Sequence, residues 1–208
     1  MIKIGITGGI GSGKSFVCQR LQSRGVPVYN CDAEAKRLMT ESGEIVEAVK
    51  RLVGDDAYTA EGRLNRERIA AFLFLNEENA RKINAIVHPA VKKDFLAWAE
   101  RQDSDIVAQE CAILFESGFD DTVDMTVEVY APQPLRIRRA MRRDSATEQQ
   151  IEARMAQQMD EEEKRERADV CIMNDEVHDT DSEIERMLAA ITGHATHCGR
   201  QNHSHGHL

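Results

Sequence analysis

Apolar residues alternate at the start of the chain, with Ile2, Ile4 and Ile6 set around Gly5, and this period of two predicts a short strand. The spacing then changes to that of an amphipathic helix, carried by Phe16, Val17, Cys18 and Leu21 and ended by Gly25. A second strand is expected from Val26 to Asn30, and Pro27, which has no N–H for a ladder, places it at a sheet edge. From Asp32 to about Ala99 the pattern is helical, through Ile45, Val49 and Leu52, then Ile69, Phe72, Leu73 and Phe74, then Ile83, Ile86 and Val87. Strand patterns return at Ile106 to Glu110, Met125 to Tyr130 and Val170 to Met173. Between the last two, one helix starts at Pro134 and a second is expected from about Thr147 to Ala168. In that second helix Ile151, Met155 and Met159 form a packing stripe, and the run Asp160 to Glu163 is expected as a solvated face.

Strands alternating with helices make a five-stranded parallel sheet the natural arrangement, so the fold class is α/β. The helical stretch between the second and third strands exceeds what a crossover needs, so part of it is expected to form a separate acceptor-binding subdomain, about 32–99. The expected core is 1–31, 100–134 and 169–193, with a lid at about 135–168. After Gly193 the chain carries His194, His197, His203, His205 and His207 without apolar periodicity. Residues 194–208 therefore read as a disordered, histidine-rich tail.

The turn after the first strand adds chemistry to this frame. Residues 8–15 read Gly-Gly-Ile-Gly-Ser-Gly-Lys-Ser, a complete G-x-x-x-x-G-K-[ST] phosphate-binding loop between strand and helix. Backbone N–H groups converge on phosphate oxygens only where side chains do not intervene, which explains Gly8, Gly11 and Gly13. Lys14 supplies a cation for the β- and γ-phosphates, Ser15 a hydroxyl for Mg²⁺, and the helix N-terminus a favourable dipole. ATP and Mg²⁺ are the expected cofactors, and the frame becomes a three-layer P-loop NTPase fold.

Composition narrows the partners. A net charge of -9 argues against nonspecific binding to nucleic acid or to an anionic membrane. The five cysteines show no CxxC spacing and read as reduced thiols. Met1 leads straight into a strand pattern without a signal peptide, and no apolar run approaches the roughly 18 residues of a membrane span. A cytoplasmic protein, monomeric or weakly homo-oligomeric, is expected. Against the acidic background, Arg136, Arg138, Arg139, Arg142 and Arg143 stand out on adjacent turns, where like charges repel unless an anion compensates them. They suit an anion-facing lid.

GTPase switches need D-x-x-G and N-K-x-D strings, and neither occurs here. Small-molecule kinases combine the loop with an acid for the acceptor hydroxyl, an acceptor subdomain and an arginine-rich lid. Several ordered segments go further. Thr7 to Ser15, Val28-Tyr-Asn-Cys-Asp32, Leu64-Asn-Arg66, Val87-His88-Pro89, Glu110 with Ala112 to Glu116, Arg139 with Arg143-Asp144, Gln158 with Lys164, and Ile172 to Asn174 together resemble the dephospho-coenzyme A kinase family from Ile4 to about Ile191. The chain departs from that pattern where Asn30 replaces the first acid of Asp-Ala-Asp and where Ala112 replaces a proline.

The resemblance implies transfer of the ATP γ-phosphoryl group to the ribose 3′-hydroxyl of dephospho-coenzyme A. It makes Asp32, Lys14 and Arg139 the catalytic candidates, although Asp32 would also serve as a helix N-cap and Arg139 as a surface ion pair. Nucleotide contacts are expected from Gly9, Ile10, Gly11, Ser12, Gly13, Lys14, Ser15, Phe16, Arg139, Arg143 and Asn174. Acceptor contacts are expected from Asp32, Arg66, His88 and Glu116, and metal contacts from Ser15 and Glu110. His88, before a proline, is expected in extended backbone at a helix boundary and is equally readable as structural. Arg66 could instead pair with Glu67, and Glu110 could be a plain strand-end carboxylate. Kinases of other small acceptors, and a nucleotide-gated binding protein without turnover, remain the alternatives at this level.

Overall fold

The computed structural model describes residues 1–198 of the chain, the side chains of 1–193 among them; His203, His205, His207 and the rest of 199–208 lie outside the described residues. Five parallel strands, β1 (Ile2–Thr7), β2 (Val28–Asn30), β3 (Ile106–Glu110), β4 (Met125–Tyr130) and β5 (Val170–Met173), form one sheet in the order β2-β3-β1-β4-β5. Short β2 lies at the edge, as Pro27 requires. The proline contributes only its carbonyl, which accepts from the Ala108 N–H at 2.8 Å.

Helices cover both faces of the sheet. On one face, α1 (Lys14–Ser23) presents Val17, Cys18 and Leu21, and α9 (Thr180–Cys198) presents Ile184, Met187 and Ile191, against Ile4, Ile6, Val127 and Val129. The other face is covered mainly by α5 (Glu77–Glu100), whose Ile83, Val87, Val91, Phe95 and Ala99 recur at every fourth position and make one buried stripe. With α2 (Cys31–Glu41), α3 (Gly43–Val53) and α4 (Arg66–Leu75), α5 encloses the larger of the two main cores. A smaller apolar cluster of Ile137, Ala140 and Ile151 joins α6 (Gln133–Asp144) to α7 (Glu148–Met155), and α8 (Glu161–Arg167) follows. Among the described residues no helix is long and apolar enough to cross a membrane.

Three expectations need correction. Pro89 does not end a helix: His88 and Pro89 both lie inside α5. The buried stripe runs through this point on the opposite side, while Pro89 and Ala85, the residue whose carbonyl loses its helical donor, are exposed to water. Residues 147–168 form two helices, not one. Thr147 and Gln150 close a capping box at the start of α7, and Asp160 starts α8 by accepting from the Glu162 N–H at 2.9 Å. Finally, helical backbone continues past Gly193 to Cys198, five residues into the segment expected as a disordered tail.

Candidate active site

The turn from β1 into α1 is built by backbone that only glycine adopts comfortably. Gly8, Gly11 and Gly13 have φ of 144°, 79° and 100°. Space imposes the same choice, since a Cβ at Gly13 would stand 2.0 Å from Asn174 Nδ2. The turn is braced from behind by groups outside the motif. Asn174, just past β5, donates to the Ser12 carbonyl at 2.7 Å, and Arg139 on α6 donates to the carbonyls of Asn174 at 2.9 Å and Ser12 at 3.4 Å. From the α8 side, the Gly9 N–H donates to Glu161 Oε2 at 3.3 Å and the Ile10 N–H to Gln158 Oε1 at 3.0 Å.

Lys14 folds back over this turn, its Nζ donating to the carbonyls of Gly8 at 2.6 Å and Gly9 at 3.4 Å. Burial, and then the neighbouring Lys164, lower its pKa, opposed by Glu110, Glu128 and Glu161. A bound polyanion would strengthen the charged form. Beside it, Ser15 Oγ donates to Glu110 Oε1 at 2.8 Å, and the other oxygen of Glu110 accepts from Asn30 Nδ2 at 2.7 Å. Asn30 and Glu110 face each other in the β2–β3 register, so the sheet itself aims both at Ser15.

Asn30 also decides the role of Asp32. Its Oδ1 accepts from the Ala33 N–H at 2.9 Å, which makes Asn30 the N-cap of α2 and removes that role from Asp32. Asp32, the second residue of α2, is exposed, and its carboxylate takes no hydrogen bond from the described residues. One cavity of about 600 Å³ is lined by Ile10, Gly11, Gly13, Lys14, Ser15, Asp32, Glu110, Arg139 and Arg143, so strands, loop and α6 converge as the motif spacing implied. Arg143 reaches it while held bidentately by Asp144 at 2.7 and 3.0 Å.

The other expected residues are distributed around this centre. Phe16 is 40% exposed on the outer side of α1, with the Arg20 guanidinium over its ring. His88 and Glu116 line a second cavity, of about 570 Å³, together with Arg81 and Lys92. Burial and the charge of Lys92 lower the His88 pKa, which favours neutral imidazole. The segment 110–117 joins the two cavities, with Glu110 and Ala112 in one and Glu116 in the other. Glu116 accepts from the Met159 N–H at 2.9 Å and pairs with Lys164 at 3.2 Å, tying this segment to α8. Arg66 lines neither cavity and makes no ion pair with Glu67; it is exposed at the start of α4, while Arg68 takes up Asp56 at 2.8 Å.

The acidic run 160–163 is only partly a solvated face. Glu162 and Glu163 are exposed, but the Glu161 side chain is 12% exposed and pairs with Arg136 at 3.3 Å against the phosphate loop. Glu128, fully buried inside β4, escaped the sequence reading as well. Its signal was available: a glutamate amid the valines of a strand that must be covered on both faces.

Comparison with known proteins matches this architecture. The model of the family described as dephospho-CoA kinase covers residues 2–179. A dephospho-CoA kinase of Bacteroides fragilis is 48% identical over 175 residues, 84% of this chain and 85% of that protein. A crystallised Thermus thermophilus protein shares 36% identity and superposes with a TM-score of 0.78 over 93% of this chain and 97% of its own. The dephospho-CoA kinase of Campylobacter jejuni, at 23% identity, has the same fold, with a TM-score of 0.68 over 93% of this chain and 98% of its own. With the phosphate loop, the Ser15–Glu110 pair and Asp32 gathered on one cavity, and the family model spanning nearly all of the kinase fold, the chain belongs to the dephospho-CoA kinase family.

Proposed function

We propose that this chain transfers the γ-phosphoryl group of ATP to the ribose 3′-hydroxyl of dephospho-coenzyme A, giving coenzyme A and ADP. The observation that carries this reading is the single cavity in which an unencumbered carboxylate, Asp32, shares walls with Lys14, Ser15, Glu110, Arg139 and Arg143. Phosphoryl transfer asks for positioning and charge neutralisation more than for covalent chemistry, and each wall supplies one of these. The loop's remaining N–H groups hold the triphosphate; those of Gly9 and Ile10, expected as nucleotide contacts, are taken by Glu161 and Gln158. Lys14 exchanges the carbonyl of Gly8 for phosphate oxygens, and Arg139 and Arg143 offset charge on the transferred group. Asp32 accepts the proton of the attacking 3′-hydroxyl.

Ser15 Oγ and Glu110 Oε1, two hard oxygen donors in contact at the cavity wall, fit Mg²⁺ and would hold it. Bound there, the ion neutralises charge on the β- and γ-phosphate oxygens. His88, Glu116 and, at a greater remove, Arg66 are proposed for the acceptor's remoter groups. The neighbouring cavity with its Arg81 and Lys92 supports this for the first two. In this reading 1–31, 100–134 and 169–193 form the core, 32–99 the acceptor-binding subdomain and 135–168 the lid. Cys18, Cys31, Cys111 and Cys171 are all free thiols, which supports a reducing, cytoplasmic setting.

ADP release measured in parallel with dephospho-coenzyme A, AMP, CMP and shikimate should be rapid with the first alone; equal turnover with a nucleoside monophosphate would sink the acceptor assignment. Asp32→Asn should lower the single-turnover rate by roughly two to four orders of magnitude with little change in ATP affinity or thermal midpoint. A near-normal rate would remove Asp32 from the catalytic list. Asn30→Ala should cost about 1 kcal/mol through the lost α2 cap and raise the Mg²⁺ concentration needed for half-maximal rate, because Glu110 loses its anchor. Unchanged denaturation and Mg²⁺ dependence would show that Asn30 holds neither.

A further inference from the structure

Glu128 sits beneath the phosphate loop, opposite Thr7 in the β1–β4 register, with no exposed surface and no hydrogen-bond partner for either oxygen. An ionised carboxylate in that state is heavily penalised. The charged and titratable groups that face it come from three elements: Glu161 and Lys164 of α8, Lys14 of α1 and Cys171 of β5. Burial acts most strongly on Glu128, followed by the charge of Glu161. The nearness of the Glu161 carboxyl, which favours a proton on Glu128, adds to these, and Lys164 and Lys14 oppose them. The result is a carboxyl pushed up to about 8.

Glu161 has the opposite character. One oxygen accepts the Gly9 N–H at 3.3 Å, and the other lies 3.3 Å from Arg136 and 4.0 Å from Lys164, so it is well supplied as an anion. The fit to the loop is close, so that a side chain at Gly9 would displace the ends of two others. A Cβ at Gly9 would meet Arg136 Nη1 at 2.0 Å and Glu161 Oε1 at 2.2 Å, although Gly9 falls at a variable position of the phosphate-binding motif.

We propose that Glu128 and Glu161 hold a single proton between them, and that Glu161, so held, is a positioning residue that fastens helix α8 to the phosphate loop through Gly9. The protonated carboxyl of Glu128 donates to the Glu161 carboxylate, which gives the buried group its missing partner. Glu161 then spreads its charge over that proton, the Arg136 guanidinium and the Gly9 N–H. Loss of the shared proton sets two anions against each other and pushes α8 away from the loop. The kinetic consequence rests on Gly8–Ser15 being the triphosphate site; the proton itself does not.

The test compares the wild-type protein with Glu128→Gln, whose neutral amide donates to Glu161 at any pH. In the folded chain Glu128 keeps its proton up to about pH 8, while the unfolded chain releases it near the ordinary value of 4.5. The folded state therefore binds an extra proton between these values, and the associated stability is lost as pH rises through that window and is level above it. Thermal midpoints measured without ligand should show Glu128→Gln gaining on wild type from pH 5 to 8, then holding a constant lead. A difference independent of pH would overturn the shared proton. In the kinetic arm, Glu161→Ala should raise the KM for ATP about tenfold at pH 7, the scale of one charge-assisted hydrogen bond, with kcat within about twofold. Wild-type KM should climb towards the same value above pH 8, while Glu128→Gln keeps it low. An unaltered KM in Glu161→Ala, or an identical climb in Glu128→Gln, would overturn the positioning role. Absence of ATP turnover in the wild-type protein would instead overturn the kinase reading and leave the thermal arm to judge the proton.

Discussion

A turn that points its N–H groups into one concavity must have its carbonyls satisfied on the other side, and this constraint organises the molecule. The positive φ angles of Gly8, Gly11 and Gly13 turn the donors inward. Asn174 and Arg139 then take the outward carbonyl of Ser12, while Glu161 and Gln158 take the N–H groups of Gly9 and Ile10 that the turn leaves aside. These four side chains come from α6, from the α7–α8 connection, from the start of α8 and from just past β5. Distant parts of the chain thus depend on one eight-residue turn for their arrangement, and it depends on them for its shape.

The chemistry of the site follows from strand order. β2, β3 and β1 are adjacent and parallel, so their C-terminal ends deliver Asn30, Glu110 and the phosphate loop to one edge, with Asp32 in the first turn of the helix after β2. Ligand sites outside the carboxyl ends of parallel strands are the general rule for open α/β sheets. The replacement of an acid by Asn30 gives this chain its own charge balance. An amide donor can cap α2 and hold Glu110 at the same time, whereas a carboxylate there would face Glu110 with like charge.

Much of this was legible in the sequence because it is written in local patterns. The strands, the edge position forced by Pro27, the glycine turn and the arginine-rich α6 all follow from period, backbone freedom or spacing. What escaped is set by tertiary partners. Pro89 reads as a helix stop until the stripe from Ile83 to Ala99 carries α5 through it with the proline facing water. The break between α7 and α8 depends on Gln158 and the Met159 N–H finding partners 148 and 43 residues away in the chain. Glu161 looks like its solvated neighbours until α8 docks, and Glu128 stands out only once its strand, with valines on either side of it, is read as covered on both faces. Asp32 was readable as a cap until Asn30 was seen to fill that position.

The central claim is that these groups direct a phosphoryl group to one hydroxyl of one acceptor. The most direct measurement is ³¹P NMR of the product formed from ATP and dephospho-coenzyme A, resolving the coupling of the new phosphomonoester to the ribose protons. The account predicts a single new resonance coupled to the proton at the ribose 3′ carbon, with one ADP formed for each. Coupling to the 2′ proton, or ADP accumulating without a new phosphomonoester, would contradict it.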